Sequence, residues 1–353
     1  MEKISIIIPA YKPDEKLIKM LQSLVAAGFS DLLIVDDGSG QAYAPIFERV
    51  EAMEQVTLLR HSVNRGKGAA LKTALRFFLE NRPAFLGAVT ADADGQHTAE
   101  DIAAVAEKLE QTQHFVLGCR DFSDPLVPWR SRFGNRFTSG TFRLFFGMKI
   151  ADTQTGLRGY PREIMEGLLS VEGERFEYET QMLFYISRQE MPLEQVRIQT
   201  VYIEENASSH FRPIVDSLRI YSLILKYIFS SAAAAVIDAL AFFIFKRFSL
   251  FAIPLIPLTF PAAFLARVIS SLVNYLINAK AVFKGDTSKK TLVRYYLLAL
   301  VQIVVSAAAV FLLEHLLVIR AAWLSTLIKL VVDTALFFIS FRIQHKWVFN
   351  NEK

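Results

Sequence analysis

Long apolar runs fill the last third of this 353-residue chain, and they constrain its fold more than any other feature. Each run approaches the roughly 20 residues that a helix needs to cross the hydrocarbon core of a bilayer. The four runs cover about 227–245, 261–279, 293–313 and 321–341. Up to about Lys226, apolar residues instead alternate with charged ones, as in a globular domain. We therefore expect a globular domain at 1–215, an interfacial connecting helix at 216–226 and an all-α domain of four spans at 227–353.

Basic residues predict the orientation of the spans. Only Lys246, Arg247 and Arg320 lie in the first and third loops, whereas the second loop carries Lys280, Lys284, Lys289, Lys290 and Arg294. The positive-inside rule places this basic loop, both termini and the N-terminal domain in the cytosol. The first residues hold no apolar segment long enough for a signal peptide. We expect a multi-pass protein of the cell membrane, and four short spans with few polar contacts are compatible with a homo-oligomer.

The membrane half also contains a weak internal repeat. The segment NYLINAKAVF closes the second span, and SFRIQHKWVF closes the fourth, 66 residues later. The segments KYIFSSAAAAV and RYYLLALVQIV open the first and third spans in a similar way. This pattern predicts two related helical hairpins, of the kind found as parallel repeats in transport folds. The alternative is a likeness of composition between two apolar helices with basic and aromatic ends.

Strands alternate with helices in the first half. Buried-type strands are predicted at KISIIIPAY, DLLIVDDGS, VTLLRH, AFLGAVTAD and HFVLGCR, with helices between them, notably over 14–27, 68–81 and 98–111. Alternation of this kind predicts an α/β fold with a mostly parallel sheet that helices cover on both faces. Ligands bind such sheets at the carboxyl ends of their strands.

Two acidic clusters follow predicted strands. Asp36 and Asp37 end one strand and Asp92 and Asp94 end another, so the two pairs can meet at one crevice. The Asp-Gly pair in VDDGSG also suits a tight turn. Such a turn accounts for one aspartate only, and the other can accept a hydrogen bond from a ribose or a base. In DADGQH the glycine falls two positions too early for the loop of a calcium hand. Two carboxylates, with Gln96 as a further oxygen ligand, suit Mg²⁺ or Mn²⁺ on a diphosphate.

A segment after the third strand suits an anion. NRGKGAAL offers backbone N–H groups at a helix start beside Arg65 and Lys67. It contains neither a dinucleotide fingerprint nor a phosphate-binding GxxxxGK[ST] loop. The net charge of +4 and the lack of a basic block with interleaved aromatics argue against a nucleic-acid partner. We expect Lys67 to contact a nucleotide.

The ordered motifs of the first half carry a family resemblance. SIIIPAYKPDEKL, LIVDDGSG, NRGKGAAL, DADGQH, LGCRDF and DTQTGLRGYPREI follow the order found in family 2 glycosyltransferases of the GT-A fold, and they are most similar to the dolichol-phosphate mannose synthase group. The membrane half resembles the GtrA-type four-helix proteins through RVISSLVNYLINAKAVF and HKWVF. The resemblance implies a Rossmann-like GT-A catalytic domain joined to an all-α membrane domain.

The resemblance also implies residue roles. The nucleotide is expected to contact Pro9, Tyr11 and Asp37. The metal ion is expected to bind Asp92, Asp94 and Gln96. The sugar and acceptor side of the site is expected to be lined by Asp152, Arg158, Glu177 and Glu179. The chain departs from the family at PAYKPDE, where the usual pattern is PAYNE. Pro13 replaces the expected carboxylate, which leaves Asp14 or Glu15 for any contact there.

A phosphate acceptor needs no general base, because a phosphomonoester with a second pKa of about 6 is already largely dianionic at neutral pH. Arginines are expected to hold it, since their fork geometry matches phosphate. The candidates are Arg120 after the fifth strand, then Arg130, Arg132 and Arg136 on the next segment. The apolar stretch from Phe137 to Met148 is either a core helix or a helix in the bilayer interface beside these arginines.

Four ionisable residues lie inside the predicted spans: Asp238, Arg267, Lys329 and Asp333. Such residues are costly in hydrocarbon and face a bundle interior or a polar cavity. They form either structural ion pairs or a route for a sugar-phosphate headgroup.

We predict a metal-dependent, inverting glycosyltransferase that moves a hexose from a nucleotide sugar to undecaprenyl or dolichyl phosphate on the cytosolic face. UDP-hexose is favoured over GDP-mannose by analogy with the GtrA-type half alone. The alternative is a transporter that flips the lipid-linked sugar, with the N-terminal domain binding the headgroup. A processive polysaccharide synthase is disfavoured, because no tryptophan stands in a QxxRW-like context.

Overall fold

The computed structural model describes residues 3–122, 129–199, 222–248, 259–283, 285–318 and 322–349. It divides into two compact units, Met1–Ile220 and Tyr221–Lys353, and each is described by itself. The predicted boundary at 215 lies outside the described residues, as does most of the predicted connecting helix, so both stay predictions. The first described helix of the second unit begins at Ser222.

The first unit is built on a sheet of seven strands in the order β3-β2-β1-β4-β6-β5-β7. Its strands are β1 (Ile4–Ala10), β2 (Leu32–Asp36), β3 (Val56–Arg60), β4 (Gly87–Thr90), β5 (Phe115–Arg120), β6 (Arg158–Pro161) and β7 (Leu193–Ile198). All neighbouring strands are parallel except β6, which is antiparallel to β4 and β5. The predicted α/β fold with a mostly parallel sheet is confirmed, and its first five strands match the predicted segments.

Within the described residues, seven α-helices accompany this sheet: α1 (Glu15–Ala26), α2 (Ala44–Glu51), α3 (Lys67–Asn81), α4 (Ala99–Thr112), α5 (Trp129–Thr141), α6 (Arg162–Leu169) and α7 (Glu177–Arg188). Apolar residues at helical spacing turn inward, as Leu17, Leu21 and Leu24 do on α1. Side chains begin two of these helices, because Asp14 accepts a hydrogen bond from the Lys16 amide and Thr98 accepts one from Asp101. A π-helical turn, Phe142–Phe146, continues α5.

Four long helices form the second unit: α8 (Ser222–Arg247), α9 (Thr259–Ile277), α10 (Lys289–Leu316) and α11 (Ala322–Ile343). Within the described residues, Ile224–Phe245 and Lys289–Leu316 are long and apolar enough to cross a membrane. Large apolar side chains point outward, among them Phe229, Phe243, Ile303 and Phe311, and such a surface suits lipid rather than water. The predicted all-α domain of four apolar helices is confirmed.

The internal repeat has a local structural counterpart. Both α9 and α11 end in a π-helical turn of five residues, Asn278–Val282 and Gln344–Val348, at matching positions of the repeat. The first residues of these turns are hydrogen-bonded to each other, with Asn278 Nδ2 3.1 Å from Gln344 Oε1. Ser230 donates to Asn278 at 2.6 Å, so three of the helices share one buried polar cluster. The repeat is therefore visible in the backbone structure as well as in the amino-acid composition.

The four intramembrane charges form two pairs. Arg267 on α9 lies 3.4 Å from Asp238 on α8, and Ser270 donates to the same aspartate at 2.9 Å. On α11, Lys329 contacts Asp333, which also accepts a hydrogen bond from Ser306 of α10 at 2.6 Å. Both aspartates therefore have a cation and a hydroxyl as partners. The ion-pair alternative is present in the structure, and the headgroup route stays a prediction.

Candidate active site

The carboxyl ends of three neighbouring strands position the candidate site. Strand β1 lies between β2 and β4 in parallel register, with Ala10 opposite Asp36 and Ile7 opposite Thr90. Backbone hydrogen bonds continue the ladder past the strand ends, since the amide of Asp37 donates to Ala10 and that of Ala91 donates to Ile7. The two acidic clusters thus leave the same edge of the sheet, as the sequence predicts.

Asp92 lies beside a buried lysine. The Nζ of Lys67, the first residue of α3, is 2.6 Å from Asp92 Oδ1 and 3.0 Å from Glu179 Oε1 on α7. Burial lowers the pKa of the Lys67 ammonium, but the two carboxylates outweigh it and the pKa is raised. Burial likewise raises the pKa of Asp92, but Lys67 and His97 outweigh it, and the pKa is lowered. Asp92 is therefore a carboxylate, and Lys67 is a cation, across the physiological pH range.

A glycine makes room for this carboxylate. A Cβ atom on Gly156 would lie 2.3 Å from Asp92 Oδ2. The carbonyl of Gly156 accepts a hydrogen bond of 2.8 Å from Thr90 Oγ1, which fixes the glycine against the end of β4. His97 closes another side, with Nε2 3.7 Å from Asp92 Oδ2. The Asp92 side chain is thus enclosed by fixed neighbours.

Asp94 differs from Asp92 in its electrostatic environment. Its Oδ1 accepts a hydrogen bond of 3.0 Å from the amide of Gln96. Burial raises the pKa of the Asp94 carboxyl, and the neighbouring Asp92 carboxylate raises it further. Because the two carboxylates repel each other, a cation placed between them would be stabilised.

The donor set fits a hard divalent cation. Mg²⁺ and Mn²⁺ prefer oxygen ligands, and Mg²⁺ is usually held by one or two carboxylates while the substrate phosphates complete the shell. Asp92 and Asp94 supply this number, with the Gln96 carbonyl oxygen as the third predicted ligand. Among the described residues, no three His, Cys, Asp or Glu side chains come together as a protein-only metal cluster. The two carboxylates themselves suit a metal whose coordination shell a diphosphate completes.

Asp37 organises a loop. The side chain is 3% exposed, and its carboxylate accepts hydrogen bonds from the amides of Arg65 and Gly66 at 2.9 and 2.7 Å. Asn64 Nδ2 donates to the same carboxylate at 2.9 Å, and His61 Nδ1 lies 2.7 Å from it. These bonds hold the residues just before Lys67. The geometry gives Asp37 a supporting position, and its direct contact with a nucleotide stays a prediction.

Asp36 and the loop after β1 lie on the same side of the site. Asp36 Oδ1 accepts a hydrogen bond of 2.9 Å from the amide of Ser39, and the Ser39 hydroxyl accepts one of 2.8 Å from the amide of Lys12. Lys12 has a left-handed backbone with φ of 53°, and its ammonium lies over the Tyr11 ring at 5.2 Å. Lys12 and Pro13 stand where the family resemblance expects Asn and Glu, and Pro13 is buried in this turn. Pro9 and Tyr11 are partly exposed beside it.

Arg120 is held by a buried aspartate. Its Nε and Nη2 donate to the two carboxylate oxygens of Asp152 at 2.6 and 3.2 Å, and Asp152 is fully buried. The guanidinium also lies over the Phe122 ring. The structure thus brings together two residues that the sequence assigns to the acceptor side. Asp152 positions Arg120, and phosphate binding by Arg120 stays a prediction.

Arg158 lies in the interior on β6. It is 1% exposed and donates to the carbonyls of Thr155 at 2.8 Å and Glu179 at 2.6 Å. It therefore supports the Gly156 loop and the start of α7, and a direct sugar contact stays a prediction. Glu177 Oε1 accepts weak hydrogen bonds from the amides of Glu174 and Arg175 at 3.4 Å, as expected in the first turn of a helix.

Helix α5 and its π-turn have one buried and one exposed face. Phe142, Phe145 and Phe146 are buried, and Phe142 and Phe146 stack on Phe184. The opposite face exposes Phe133, Phe137 and Leu144 among the arginines Arg132, Arg136 and Arg143. The core interpretation therefore holds for the buried face, which includes Phe142, Phe145 and Phe146, and not for the exposed face. Arg130 belongs to α5, but its side chain lies outside the described part.

Three residues of the site were missed or underused in the sequence. Glu179 was grouped with Glu177, Gly156 received no role, and His97 was quoted only as part of a motif. Their importance comes from packing of α7 and the Gly156 loop against α3 and β4. No local pattern signals this packing, although Gly156 in the matched segment DTQTGLRGY is the one clue.

Comparison with known proteins agrees with this site. Residues 5–169 match the family described as Glycosyl transferase family 2, and residues 226–349 match the GtrA/DPMS transmembrane domain. The protein is therefore a glycosyltransferase whose residues 5–169 match family 2. More particularly, its catalytic domain is joined to a transmembrane domain of the GtrA/DPMS type.

Two relatives are named for lipid-linked sugar transfer. The chain is 26% identical over 245 residues to the UDP-N-acetylglucosamine–dolichyl-phosphate N-acetylglucosaminyltransferase of Methanococcus voltae, covering 63% of this chain and 95% of that one. It is 25% identical over 171 residues to the polyprenol monophosphomannose synthase of Mycolicibacterium smegmatis, covering 47% and 64%. The names of these two relatives differ in the sugar but share a polyprenyl-type lipid.

A solved structure shares low similarity. Glucosyl-3-phosphoglycerate synthase from Mycobacterium tuberculosis, in complex with Mn²⁺, UDP and phosphoglyceric acid, has a TM-score of 0.47 and 14% identity, over 64% of this chain and 76% of that one.

Proposed function

We propose that this enzyme transfers a hexose from a UDP- or GDP-linked donor to undecaprenyl or dolichyl phosphate, with inversion, on the cytosolic face of the membrane. The observation that carries the proposal is the carboxylate pair Asp92 and Asp94 just after β4, in a chain that also matches the GtrA/DPMS transmembrane domain. The names of the two relatives support a polyprenyl phosphate as acceptor.

The residues of the site divide the work. Asp92, Asp94 and Gln96 would hold Mg²⁺ or Mn²⁺, which supplies charge stabilisation to the departing diphosphate. Asp36, Tyr11 and Pro9 lie where the nucleoside would bind. Because the acceptor phosphate is already anionic, the protein has only to hold it in line with the anomeric carbon, and no general base is required.

Arginines would bind the acceptor phosphate. Arg120 is oriented by Asp152 beside the carboxyl end of β5, and Arg132 is exposed on α5 next to Phe133. A helix with exposed phenylalanines and arginines on one face suits the interface of an anionic membrane, where a lipid phosphate is found. This arrangement supports the interfacial interpretation of the exposed face.

A transfer assay tests the proposal. Purified protein with Mg²⁺, a panel of UDP- and GDP-sugars and undecaprenyl phosphate should form one lipid-linked sugar, and Asp94→Ala should lose most of the rate. Glu110→Ala is the matched control, because Glu110 is an exposed carboxylate near the C-terminal end of α4. The anomeric configuration of the product tests inversion. Absence of product from every donor, or full activity of Asp94→Ala, would contradict the proposal.

A second function, translocation of the lipid-linked sugar, is favoured by one observation. The pairs Asp238–Arg267 and Lys329–Asp333 place four charges within apolar helices. Proteoliposomes that contain the protein and a fluorescent lipid-linked sugar separate the two functions. Translocation that survives Asp94→Ala but fails in Arg267→Leu would assign it to the membrane domain.

A further inference from the structure

Lys67 lies between two carboxylates that belong to different parts of the site. Asp92, a candidate metal ligand, is 2.6 Å from its Nζ, and Glu179 is 3.0 Å from it. The lysine side chain is 15% exposed and that of Glu179 is 10% exposed, whereas that of Asp92 is 31% exposed. The lysine and Glu179 are thus the inner partners, and Asp92 faces outward.

The burial of Glu179 determines where the ammonium can go. A buried carboxylate without a cation is strongly destabilised, because its lost hydration is not replaced. Lys67 is the only cation that lies within ion-pair distance of Glu179 among the described residues. If the ammonium left the site altogether, Glu179 would lose its cationic partner. The ion pair with Glu179 therefore favours retention of Lys67 in the site when Asp92 binds another cation.

We propose that Lys67 is a resident counter-ion of the metal site and that Glu179 is its positioning residue. Glu179 holds the ammonium where it neutralises Asp92 before a divalent cation binds, and it retains the ammonium when Asp92 turns to the metal. Glu179 thereby weakens the competition of Lys67 for Asp92. This inference rests on the proposed metal site and adds a determinant of metal affinity outside the ligand set.

A purely architectural role for Glu179 is the competing interpretation. Helix α3 is already joined to the segment just before α7 without this carboxylate, because the amide of Ala69 donates to the carbonyl of Glu174 at 2.9 Å. Gly68 also allows a close approach, since a Cβ on it would lie 2.6 Å from Tyr178 Cβ. Glu179→Gln should therefore fold, and its effect can be read in metal binding.

The experiment measures the Kd of Mn²⁺ by electron paramagnetic resonance on the full-length protein in detergent, without nucleotide. In Glu179→Gln, Lys67 has Asp92 as its remaining carboxylate, so the Kd should rise at least about fivefold, the order expected within one ion-pair network. Lys67→Met removes the competitor and should lower the Kd. In the Lys67→Met background, Glu179→Gln should change the Kd less than about twofold. Glu166→Gln, an exposed carboxylate on α6, should match the wild type.

Several outcomes would overturn the inference. An unchanged Kd in Glu179→Gln would do so, as would an equal rise with and without Lys67, which would show a simple loss of negative charge. If Glu179→Gln does not fold, Lys67→Met against Lys67→Arg tests the same point, and equal Kd values would overturn it. A wild type that binds no Mn²⁺ contradicts the metal site and this inference together. Normal Mn²⁺ behaviour without sugar transfer contradicts only the proposed function.

Discussion

At the scale of single residues, the candidate site depends on small side chains that leave room for charged ones. Asp92 can lie against the Gly156 loop only because position 156 has no Cβ, and that loop is fixed by Thr90. The carboxylate then meets Lys67 and His97. A glycine distant in sequence thus determines where a candidate metal ligand lies.

Gly156→Ala tests this dependence. The new Cβ would lie 2.3 Å from Asp92 Oδ2, so the carboxylate must move, and we expect a loss of transfer activity of about 100-fold, the order for a reactive group displaced by about 1 Å. Steady-state kinetics and the Mn²⁺ Kd measure the effect. Gly140→Ala is the control, because a Cβ there meets nothing within 4 Å. Equal activity of the two variants would show that Asp92 tolerates displacement.

Cys119 provides a prediction of pH dependence. The thiol is buried on β5, and burial together with the Asp152 carboxylate raises its pKa from 9.0 to about 12. This thiol ionises near pH 9.0 in the unfolded chain but stays protonated at that pH in the folded protein. Ionisation therefore stabilises the unfolded chain, and the free energy of unfolding falls as the pH rises above 9.0. The difference in unfolding free energy between wild type and Cys119→Ala should therefore shift against the wild type from pH 8 to 10.

At the scale of elements, α5 combines two environments in one helix. The residues at Phe142, Phe145 and Phe146 join the core, while Phe133 and Phe137 are 66% and 58% exposed and stack on each other at 6.5 Å. Exposed aromatics next to arginines are costly in water but stable at a membrane interface. The element therefore fits an enzyme whose acceptor is a lipid.

Binding of a catalytic-unit fragment to vesicles tests this face. In a protein of residues 1–220, Phe133→Ser with Phe137→Ser should weaken binding to anionic phospholipid vesicles roughly tenfold or more, since burial of each ring contributes about 1.5–3 kcal/mol. Flotation assays measure the bound fraction. Val63→Ser is the control, because Val63 is 64% exposed but far from α5 in sequence. A similar loss in both proteins would refute a specific interfacial role.

At the scale of the whole molecule, the chain consists of two units whose surfaces suit different surroundings, water for the first and lipid for the second. The main hydrophobic cluster of the first unit runs from Ile4 to Ile198 and contains no residue of the second. The second unit exposes many large apolar side chains, although it also buries Tyr227, Phe283, Phe341 and Phe349. The first unit thus has a core of its own, as an independent domain requires.

Truncation tests this independence. A protein of residues 1–220 should unfold in one cooperative thermal transition, followed by circular dichroism, because its core is complete without the membrane helices. Its Mn²⁺ Kd should equal that of the full chain, since all proposed ligands lie before residue 100. A gradual, non-cooperative transition would show that the first unit needs the second.

Much of the fold follows from local patterns. Buried runs bounded by turn residues marked the first five strands, and helical spacing marked α1, α3 and α4. Strand β6 was missed because its four residues, RGYP, carry no strand pattern and contain a proline. Its place between β4 and β5 is a matter of long-range pairing, which a local pattern does not encode.

The sequence by itself determined the chemistry that is available: paired aspartates after a strand, a lysine at a helix start, arginines and apolar spans. Only the tertiary structure decided which of these groups meet. It buried Arg158 among carbonyl acceptors and Asp37 among N–H donors, paired Arg120 with Asp152, and placed Lys67 between Asp92 and Glu179. The physical reason is that electrostatic interactions depend on distance and burial, and both are set by the packing of elements far apart in the chain.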